Sequence, residues 1–357
     1  MMNEASGLTH LASRILACPA CRTPLEPAQL AQGASCRGCG RRYPFSGTAL
    51  DFLGARAEFS LSDLQLARRV FEQRQQLTEL WTALQSLPDH GRRELFGRLG
   101  ATLGLRDAAE GERFLHALPA GQVINDLAHY DGRGAVGPTP GLDFLQQNLR
   151  RSASATILDA GCSVGRQLLS VAQPGAELVG IDVSLLSLSI GSEAWSRTQA
   201  IAAPLWCNAS VLNLPFRDAS FTHALSFVVL GLVPLRTALR ELSRVLVPGG
   251  QLIFTVEGTG YWWKLWRVAP TLGRERIGLL RWWLGRQLLR TGVQWRELGG
   301  LRRLAGLTQY SPGMLRHALS SAGFAVERID SLADYHGRPL LLGVSAVKSP
   351  HSPGAPG

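Results

Sequence analysis

The chain has 357 residues, of which 45% are hydrophobic and 18% are charged, so it can form folded domains and is not a disordered polymer. Its formal net charge is +10, and only two of its 37 basic residues are lysines. No apolar run reaches the roughly 18 residues of a membrane-spanning helix, and the N-terminus lacks the features of a signal peptide, so we expect a cytoplasmic protein.

Four of the six cysteines form two CxxC pairs near the N-terminus, separated by fourteen residues. These cysteines are Cys18, Cys21, Cys36 and Cys39. Each pair places two thiolates on a tight turn, and two such turns predict a tetrahedral Cys₄ zinc site. Because so small a segment has little core, structural Zn²⁺ would supply much of its folding energy. We expect a zinc ribbon at residues 1–56.

Residues 16–53 resemble the short zinc ribbons of the family that activates tRNA and release-factor methyltransferases. The shared features are the pattern CPxC…CxxCGRxYP and an ending comparable to DGIPDFL at residues 46–53. The resemblance identifies a ribbon without assigning its role, and two interpretations are open: a structural role, or docking on a protein partner.

Residues 57–141 are predicted to be a helical connector. Apolar residues recur near the 3.6-residue period over 61–84, and Pro88 interrupts them. Two shorter helices are expected near 91–103 and 107–117. A Gly/Pro-rich loop follows at 131–141.

From residue 142 onward, strand patterns alternate with helix patterns. The predicted strands are 156–161, 177–182, 203–208, 220–230, 251–258, 324–330 and 339–348. Such alternation predicts an α/β, Rossmann-like sheet of seven strands with helices on both faces, here over 142–348. Only eight residues separate the sixth strand from the last, too few for a crossover helix, so the last strand should be antiparallel. The tail, 349–357, is expected to be disordered.

The sequence ILDAGCSVG at 157–165 predicts a ligand-binding turn after the first of these strands. Gly161 and Gly165 allow a sharp turn and close approach of the backbone. Asp182, at the end of the next strand, can accept hydrogen bonds from the hydroxyls of an adenosine ribose. A nicotinamide dinucleotide is the alternative cofactor, but its G-x-G-x-x-G fingerprint requires glycine where Ser163 stands.

Four motifs together resemble the class I S-adenosylmethionine-dependent methyltransferases of the type 11-like group. They are ILDAGCSVG, VGIDVS at 179–184, VLNLPFRDASFTHALS at 211–226 and RVLVPGGQLIF at 244–254. The resemblance implies an S-adenosylmethionine site formed by Asp159, Gly161, Cys162, Gly165, Asp182, Val183, Ser210, Val211 and Phe227. Two residues depart from the pattern: Ser163 replaces a glycine, and Ser210 replaces the acid that contacts adenine.

Methyl transfer requires alignment of the acceptor and exclusion of water. A hydroxyl or amine acceptor also needs a group to take its proton. Four residues in loops expected to reach the active face are candidates for this catalytic role: His129, Tyr130, Tyr261 and His336. His223 begins a strand at the opposite end and is expected to be structural.

An insertion at 259–308 separates the fifth predicted strand from the helix before the sixth. Within it, residues 260–305 contain ten basic and two acidic residues. Six of the nine tryptophans also lie there, namely Trp262, Trp263, Trp266, Trp282, Trp283 and Trp295. Four interpretations are open: a helical cap, a pocket for an aromatic or lipid-like substrate, a peripheral membrane contact, or a nucleic-acid stacking surface.

The sequence thus predicts a methyltransferase acting on oxygen or nitrogen of a small-molecule or lipid-like acceptor. An RNA methyltransferase is one alternative, because the positive charge suits RNA. A non-catalytic, partner-binding protein with a degraded cofactor site is the other.

Overall fold

A computed structural model describes residues 2–54, 59–86, 92–117, 139–152, 154–198, 203–261, 263–264 and 309–350. The predicted loop with His129 and Tyr130, most of the 259–308 insertion and the end of the tail lie outside these ranges. No helix among the described residues is long and apolar enough to cross a membrane.

The N-terminal segment combines a helix with three very short strands. Helix α1 is Met2–Ile15, and strands β1, β2 and β3 are Ala34–Ser35, Arg42–Tyr43 and Leu50–Asp51. Strands β1 and β2 form an antiparallel hairpin beside the cysteines. Neither α1 nor β3 was predicted from the sequence.

The described residues of the segment 57–141 include four helices, one more than the stretch at 61–84 and the two shorter helices predicted. They are α2 Asp63–Glu72, α3 Arg74–Ser86, α4 Arg92–Leu103 and α5 Ala108–Ala117. A capping box of Ser62 and Gln65 begins α2. Buried residues of these helices, such as Leu66, pack in one apolar cluster with Val164 of the glycine-rich turn and Ile190 of a later helix.

The remaining elements follow the predicted alternation. In chain order they are α6 Pro140–Asn148, β4 Thr156–Ala160, α7 Arg166–Val171, β5 Glu177–Asp182, α8 Leu185–Trp195, β6 Leu205–Asn208, β7 Phe221–Phe227, α9 Leu235–Val245, β8 Leu246–Glu257, α10 Pro312–Ser321, β9 Phe324–Tyr335 and β10 Arg338–Lys348. Strand β8 begins at Leu246, five residues earlier than predicted, because the Pro248-Gly249-Gly250 segment extends it.

The chain divides into two compact units. The first comprises Met1–Pro138 and Cys162–Ser210, and the second comprises Thr139–Gly161 and Val211–Gly357. In the first unit the strand order is β3-β6-β5, all parallel. In the second it is β4-β7-β8-β10-β9. There β4, β7 and β8 are parallel, and β10 is antiparallel to both β8 and β9.

The prediction of an antiparallel last strand is confirmed, but the prediction of seven strands is wrong. Apart from the β1–β2 hairpin, the described residues contain eight strands, three in the first unit and five in the second. The additional strand is β3, whose Leu50 and Asp51 lie opposite Cys207 and Asn208 of β6. The N-terminal ribbon therefore extends the edge formed by β6. The other predicted domain boundaries stay predictions.

Candidate functional site

The four paired cysteines lie together in the first unit. Their sulfur atoms are all within 4.8 Å of one another. The Sγ atoms of Cys18 and Cys39 are 3.6 Å apart, and those of Cys21 and Cys36 are 3.4 Å apart. Ligands of a tetrahedral zinc ion with Zn–S bonds of 2.3 Å would be about 3.8 Å apart. The donor set and its spacing therefore fit one zinc ion.

Each CxxC turn closes with the same main-chain hydrogen bond. The amide of Arg22 donates to the Cys18 carbonyl at 2.8 Å, and the amide of Gly40 donates to the Cys36 carbonyl at 2.9 Å. Both closing residues have the left-handed backbone conformation, with φ of 63° and 73°. Hydrogen bonds with the side chain and then the main chain of Thr23 lower the pKa of Cys21 to about 6, which favours the thiolate that zinc requires.

The glycine-rich turn of the first unit, Cys162–Gly165, is fixed against β5. The Cys162 amide donates to the Ile181 carbonyl at 2.9 Å. Gly180 faces this turn, and a Cβ there would lie 2.9 Å from the Cys162 sulfur. The turn thus depends on close packing against a glycine that sequence analysis did not identify.

Asp182 organises the same turn through its carboxylate. Oδ2 accepts the Ser163 amide at 3.0 Å, and Oδ1 accepts the Ser184 amide at 2.9 Å. Burial raises the pKa of Asp182, whereas these main-chain hydrogen bonds lower it. Each carboxylate oxygen retains a second lone pair, so the group can still accept hydrogen bonds from a ligand.

Two further polar atoms beside Asp182 fit a ligand with hydrogen-bond donors. The Oγ of Ser163 and the Oδ1 of Asn208 are buried and have no hydrogen-bond partner among the described residues. The other amide atom of Asn208, Nδ2, donates to the Asp182 carbonyl at 3.0 Å. Buried polar atoms are rarely left unpaired, so these oxygens are suited to hydroxyl or amino donors of a cofactor.

Ser163, the departure from the glycine-rich pattern, has a φ of 51°. A glycine takes this left-handed conformation without steric cost, whereas other residues pay about 1–2 kcal/mol. The serine therefore fits the turn with strain. Of the other predicted cofactor residues in this unit, Val183 is exposed and Ser210 is half-buried.

In the second unit, β4, β7 and β8 are parallel neighbours, and we call their carboxyl ends the carboxyl edge. Asp159 is fully buried in β4. Gly161 has a φ of 86°, and a Cβ there would lie 2.2 Å from Val229 Cγ2, so only glycine fits. Phe227 ends β7, while Val211 is buried.

Val228 follows β7 in a left-handed conformation, with a φ of 64°. Its amide is shared between the carbonyl of Thr255 at 2.9 Å and the hydroxyl of Thr255 at 3.2 Å. Such a conformation is a strong outlier for a β-branched residue, and strain of this kind clusters at functional sites. The carboxyl edge thus has a strained residue that the sequence motif did not reveal.

The described candidates for proton transfer differ in placement. Tyr261 is half-buried just after β8, and its amide donates to the Gly258 carbonyl at 3.1 Å. His336 is exposed in the turn between β9 and β10. His223 is buried and its Nδ1 lies 2.8 Å from the Thr222 hydroxyl, which fits the expected structural role.

Glu257, the last residue of β8, was not predicted as a site residue. Its side chain is only 8% exposed, and Oε2 has no hydrogen-bond partner among the described residues. Burial raises the pKa of Glu257 to about 7. In the sequence, Glu257 is a single acid at the end of an apolar strand. The residues that contact its backbone, Tyr310 and Leu341, lie 53 and 84 positions later.

Comparison with known proteins identifies two segments of the chain. The methyltransferase domain family matches residues 158–254, and the Trm112p-like protein family matches residues 11–45. These ranges contain the glycine-rich turn with Asp182 and the four cysteines, respectively.

Among curated proteins, a sterol 4-C-methyltransferase of Caenorhabditis elegans is 30% identical over 110 residues, 30% of this chain and 33% of the relative. A malonyl-[acyl-carrier protein] O-methyltransferase of Pseudescherichia vulneris is 35% identical over 119 residues, 33% of this chain and 45% of the relative. The matches therefore span a third to just under half of these relatives.

A solved structure with similarity is a Haloferax volcanii complex of the Trm112 methyltransferase activator with a methyltransferase. It is 17% identical, has a TM-score of 0.42, and the match covers 59% of this chain and 89% of that chain. Taken with the two family matches, the sequence motifs identify residues 158–254 as an S-adenosylmethionine-dependent methyltransferase domain, preceded by a Trm112p-like segment with a zinc-binding set of cysteines.

Proposed function

We propose that this protein transfers a methyl group from S-adenosylmethionine to an oxygen or nitrogen atom of a small-molecule or lipid-like acceptor. The observation that carries the proposal is the glycine-rich turn held by the Asp182 carboxylate within the segment that matches methyltransferase domains. One relative is named a sterol 4-C-methyltransferase and another a malonyl-[acyl-carrier protein] O-methyltransferase, which supports a small-molecule or lipid-like acceptor, and only the second name specifies transfer to oxygen.

Residues of the first unit account for the proposed contacts with the cofactor. Bound S-adenosylmethionine supplies a methyl group already activated on a sulfonium. In the first unit, Asp182 would accept the ribose hydroxyls, and Asn208 and Ser210 would hydrogen-bond polar atoms of the adenosine. For the second unit, the roles of Asp159 and Gly161 in cofactor binding stay predictions.

The zinc ribbon supports the catalytic strands from within the same chain. Three contacts carry this idea: the β3–β6 pairing, a hydrogen bond from the Phe52 amide to the Asn208 carbonyl at 2.9 Å, and an ion pair between Arg14 and Glu177. The second contact reaches the residue whose amide group also holds Asp182. Docking on a separate protein partner remains the alternative role.

An RNA acceptor is the second candidate, because residues 260–305 concentrate positive charge. In the described part of this segment, the Trp263 ring is 38% exposed, and the Arg338 guanidinium lies 4.0 Å from its centroid. An exposed aromatic ring beside arginine suits a nucleobase, and it suits an apolar ring equally well.

A methyl-labelling experiment tests the proposal. The full-length zinc-loaded protein is incubated with S-adenosyl-[methyl-³H]methionine and either a lipid and small-molecule extract or total RNA. We expect label in the organic-soluble extract, and at least tenfold less with Asp182→Asn. Ribonuclease-sensitive label would overturn the acceptor class in favour of RNA. Cofactor binding without label in either fraction would support the non-catalytic alternative.

A further inference from the structure

The backbone at Glu257, on the carboxyl edge of the second unit, is held by contacts with other segments. Glu257 pairs with Leu341 of β10 on one side. Its carbonyl accepts the Tyr310 amide at 2.9 Å, and the next amide, of Gly258, donates to the Leu340 carbonyl at 2.9 Å. A Cβ on Gly258 would lie 2.3 Å from the Pro339 carbonyl oxygen, so the two chains are in close contact there. The backbone thus fixes the origin of the Glu257 side chain.

The side chain belongs to a defined face of β8. Residues two apart in a strand share a face, so Glu257 extends the face of Thr255. The start of α6 covers that face, since a Cβ on Gly141 would lie 3.4 Å from Thr255 Cγ2 and 3.2 Å from the Phe227 ring. Glu257 therefore lies next along that face, at the carboxyl end of β8, and ligands of open parallel sheets bind at such ends.

A buried carboxyl group without a hydrogen-bond partner for one oxygen needs an explanation. Oε2 of Glu257 is buried and has no partner among the described residues, and no ion pair to Glu257 occurs among them. Leaving such a group unsatisfied destabilises the fold, and natural proteins tolerate this mainly at functional sites.

We propose that Glu257 is the catalytic residue that accepts the proton of the methyl acceptor, an inference that rests on the proposed function. The O–H or N–H bond of the acceptor breaks, and its proton moves to Oε2 of the Glu257 carboxylate. The electron pair of the acceptor atom forms the bond to the methyl carbon, and the S–C bond breaks with its electron pair retained by sulfur. Glu257 then returns the proton to water.

Burial, without a charged partner, determines the titration of Glu257. Desolvation raises its pKa to about 7, and a hydrogen bond from main chain partly opposes this. The elements next to β8 carry titratable side chains, namely Asp143 on α6, Tyr261 and Lys264 after β8, Arg338 on β10, and Tyr335 and His336 at the β9–β10 turn. A base with a pKa near the working pH is the most effective proton acceptor.

A direct titration tests this role without any acceptor. Full-length protein labelled with [δ-¹³C]glutamate is titrated from pH 4 to 9, and the resonance missing in Glu257→Gln is assigned to Glu257. We expect a midpoint near 7. A midpoint near the ordinary value for glutamate, about 4.3, would overturn the proposal.

A kinetic test uses the labelled cofactor and the lipid and small-molecule extract. Below pH 7 the single-turnover rate of the unchanged protein should rise about tenfold per pH unit and then level off. Glu257→Gln should lower the plateau rate at least 100-fold and remove this pH dependence, with the Kd for S-adenosylhomocysteine unchanged within twofold. Glu257→Asp, which keeps the carboxylate, should retain part of the rate.

The matched control is Glu327→Gln on β9, because Glu327 already pairs with Arg150 and accepts the Ser345 hydroxyl. It should behave like the unchanged protein. A Glu257→Gln rate within twofold of that protein would overturn the role of Glu257. Absence of transfer by the unchanged protein would instead contradict the acceptor class, and the NMR midpoint would then decide the role of Glu257 alone.

Discussion

The zinc ribbon and the catalytic strands reach order by different means. In the ribbon, strands β1, β2 and β3 have two residues each, and four thiols lie within 4.8 Å. In contrast, all five residues of β4 and eight consecutive residues of β8, 250–257, are buried. The ribbon also buries Leu16, Leu25 and Leu50, so a small apolar core and the metal ligands together hold it, whereas apolar burial holds the strands. Because apolar residues within the strands stabilise them, polar residues at the strand ends can serve in binding and catalysis.

The largest effect is expected from removing one zinc ligand. Cys36→Ser should reduce bound zinc from about one equivalent to near zero, because a Cys₄ site needs all four thiolates. Structural zinc contributes about 10–16 kcal/mol in zinc-finger peptides, so residues 16–53 should lose protection in hydrogen exchange. Metal analysis measures the loss. The control Cys207→Ala removes a buried thiol outside the cluster and should keep zinc, and retention of zinc by Cys36→Ser would contradict the site.

A strand-end acid of the first unit should matter less for folding. Asp182→Asn places an amide donor against the Ser163 or Ser184 amide and removes a charge-assisted acceptor. We expect the free energies of folding and of cofactor binding to become less favourable by about 2–4 kcal/mol in total. The affinity for S-adenosylmethionine should fall at least tenfold. Calorimetry and urea unfolding measure the two effects. An unchanged Kd would refute the role of Asp182.

The pH dependence of stability should reveal the strand-end acid of the second unit. The folded-state pKa of Glu257, about 7, exceeds the ordinary value of 4.5, so the folded protein binds the proton more tightly. The contribution of this proton to the free energy of unfolding is at most about 3 kcal/mol. It is complete below pH 4.5 and is lost as the pH rises to 7. Urea unfolding from pH 5 to 8 should show this loss, and Glu257→Gln should remove it. Equal slopes in the two proteins would contradict the raised pKa.

The smallest effect is expected at Ser163. Ser163→Gly should relieve the left-handed strain and remove a buried hydroxyl without a partner among the described residues. The larger entropy of the unfolded glycine chain opposes this gain, so we expect a net stabilisation of about 0.5–1 kcal/mol. The melting temperature should rise by about 1–4 °C. A fall in the melting temperature would show that the serine hydroxyl has a stabilising role.

Local sequence patterns predicted the main strands and helices because each pattern lies within one short stretch of the chain. In α10, for example, Ser311 is the cap and Pro312 lies in the first turn, and both residue types commonly begin helices. The pairing of Leu50 with Cys207 could not be predicted, since a two-residue strand has no period and its partner lies more than 150 residues away.

In the candidate site, too, residues with a local sequence signal were predicted, and a residue that depends on distant contacts was missed. The motif predicted the positions of Gly161 and Asp182, and their local conformation agrees with a tight turn after a strand. Glu257 was missed because Tyr310 and Leu341, which approach it, come from distant parts of the chain. The roles of Tyr261 and His336 stay predictions, while His129 and Tyr130 lie outside the described residues.

The β3–β6 pairing also fixes the stoichiometry of ribbon and catalytic strands. Strand addition within one polypeptide is unimolecular, so its effective concentration is set by the intervening chain and does not fall on dilution. A ribbon on a separate chain would compete for the same edge at its cellular concentration. Here β6 is already paired on that side by β3, which also shields an edge that could otherwise recruit foreign strands. One ribbon therefore accompanies each set of catalytic strands at every level of expression.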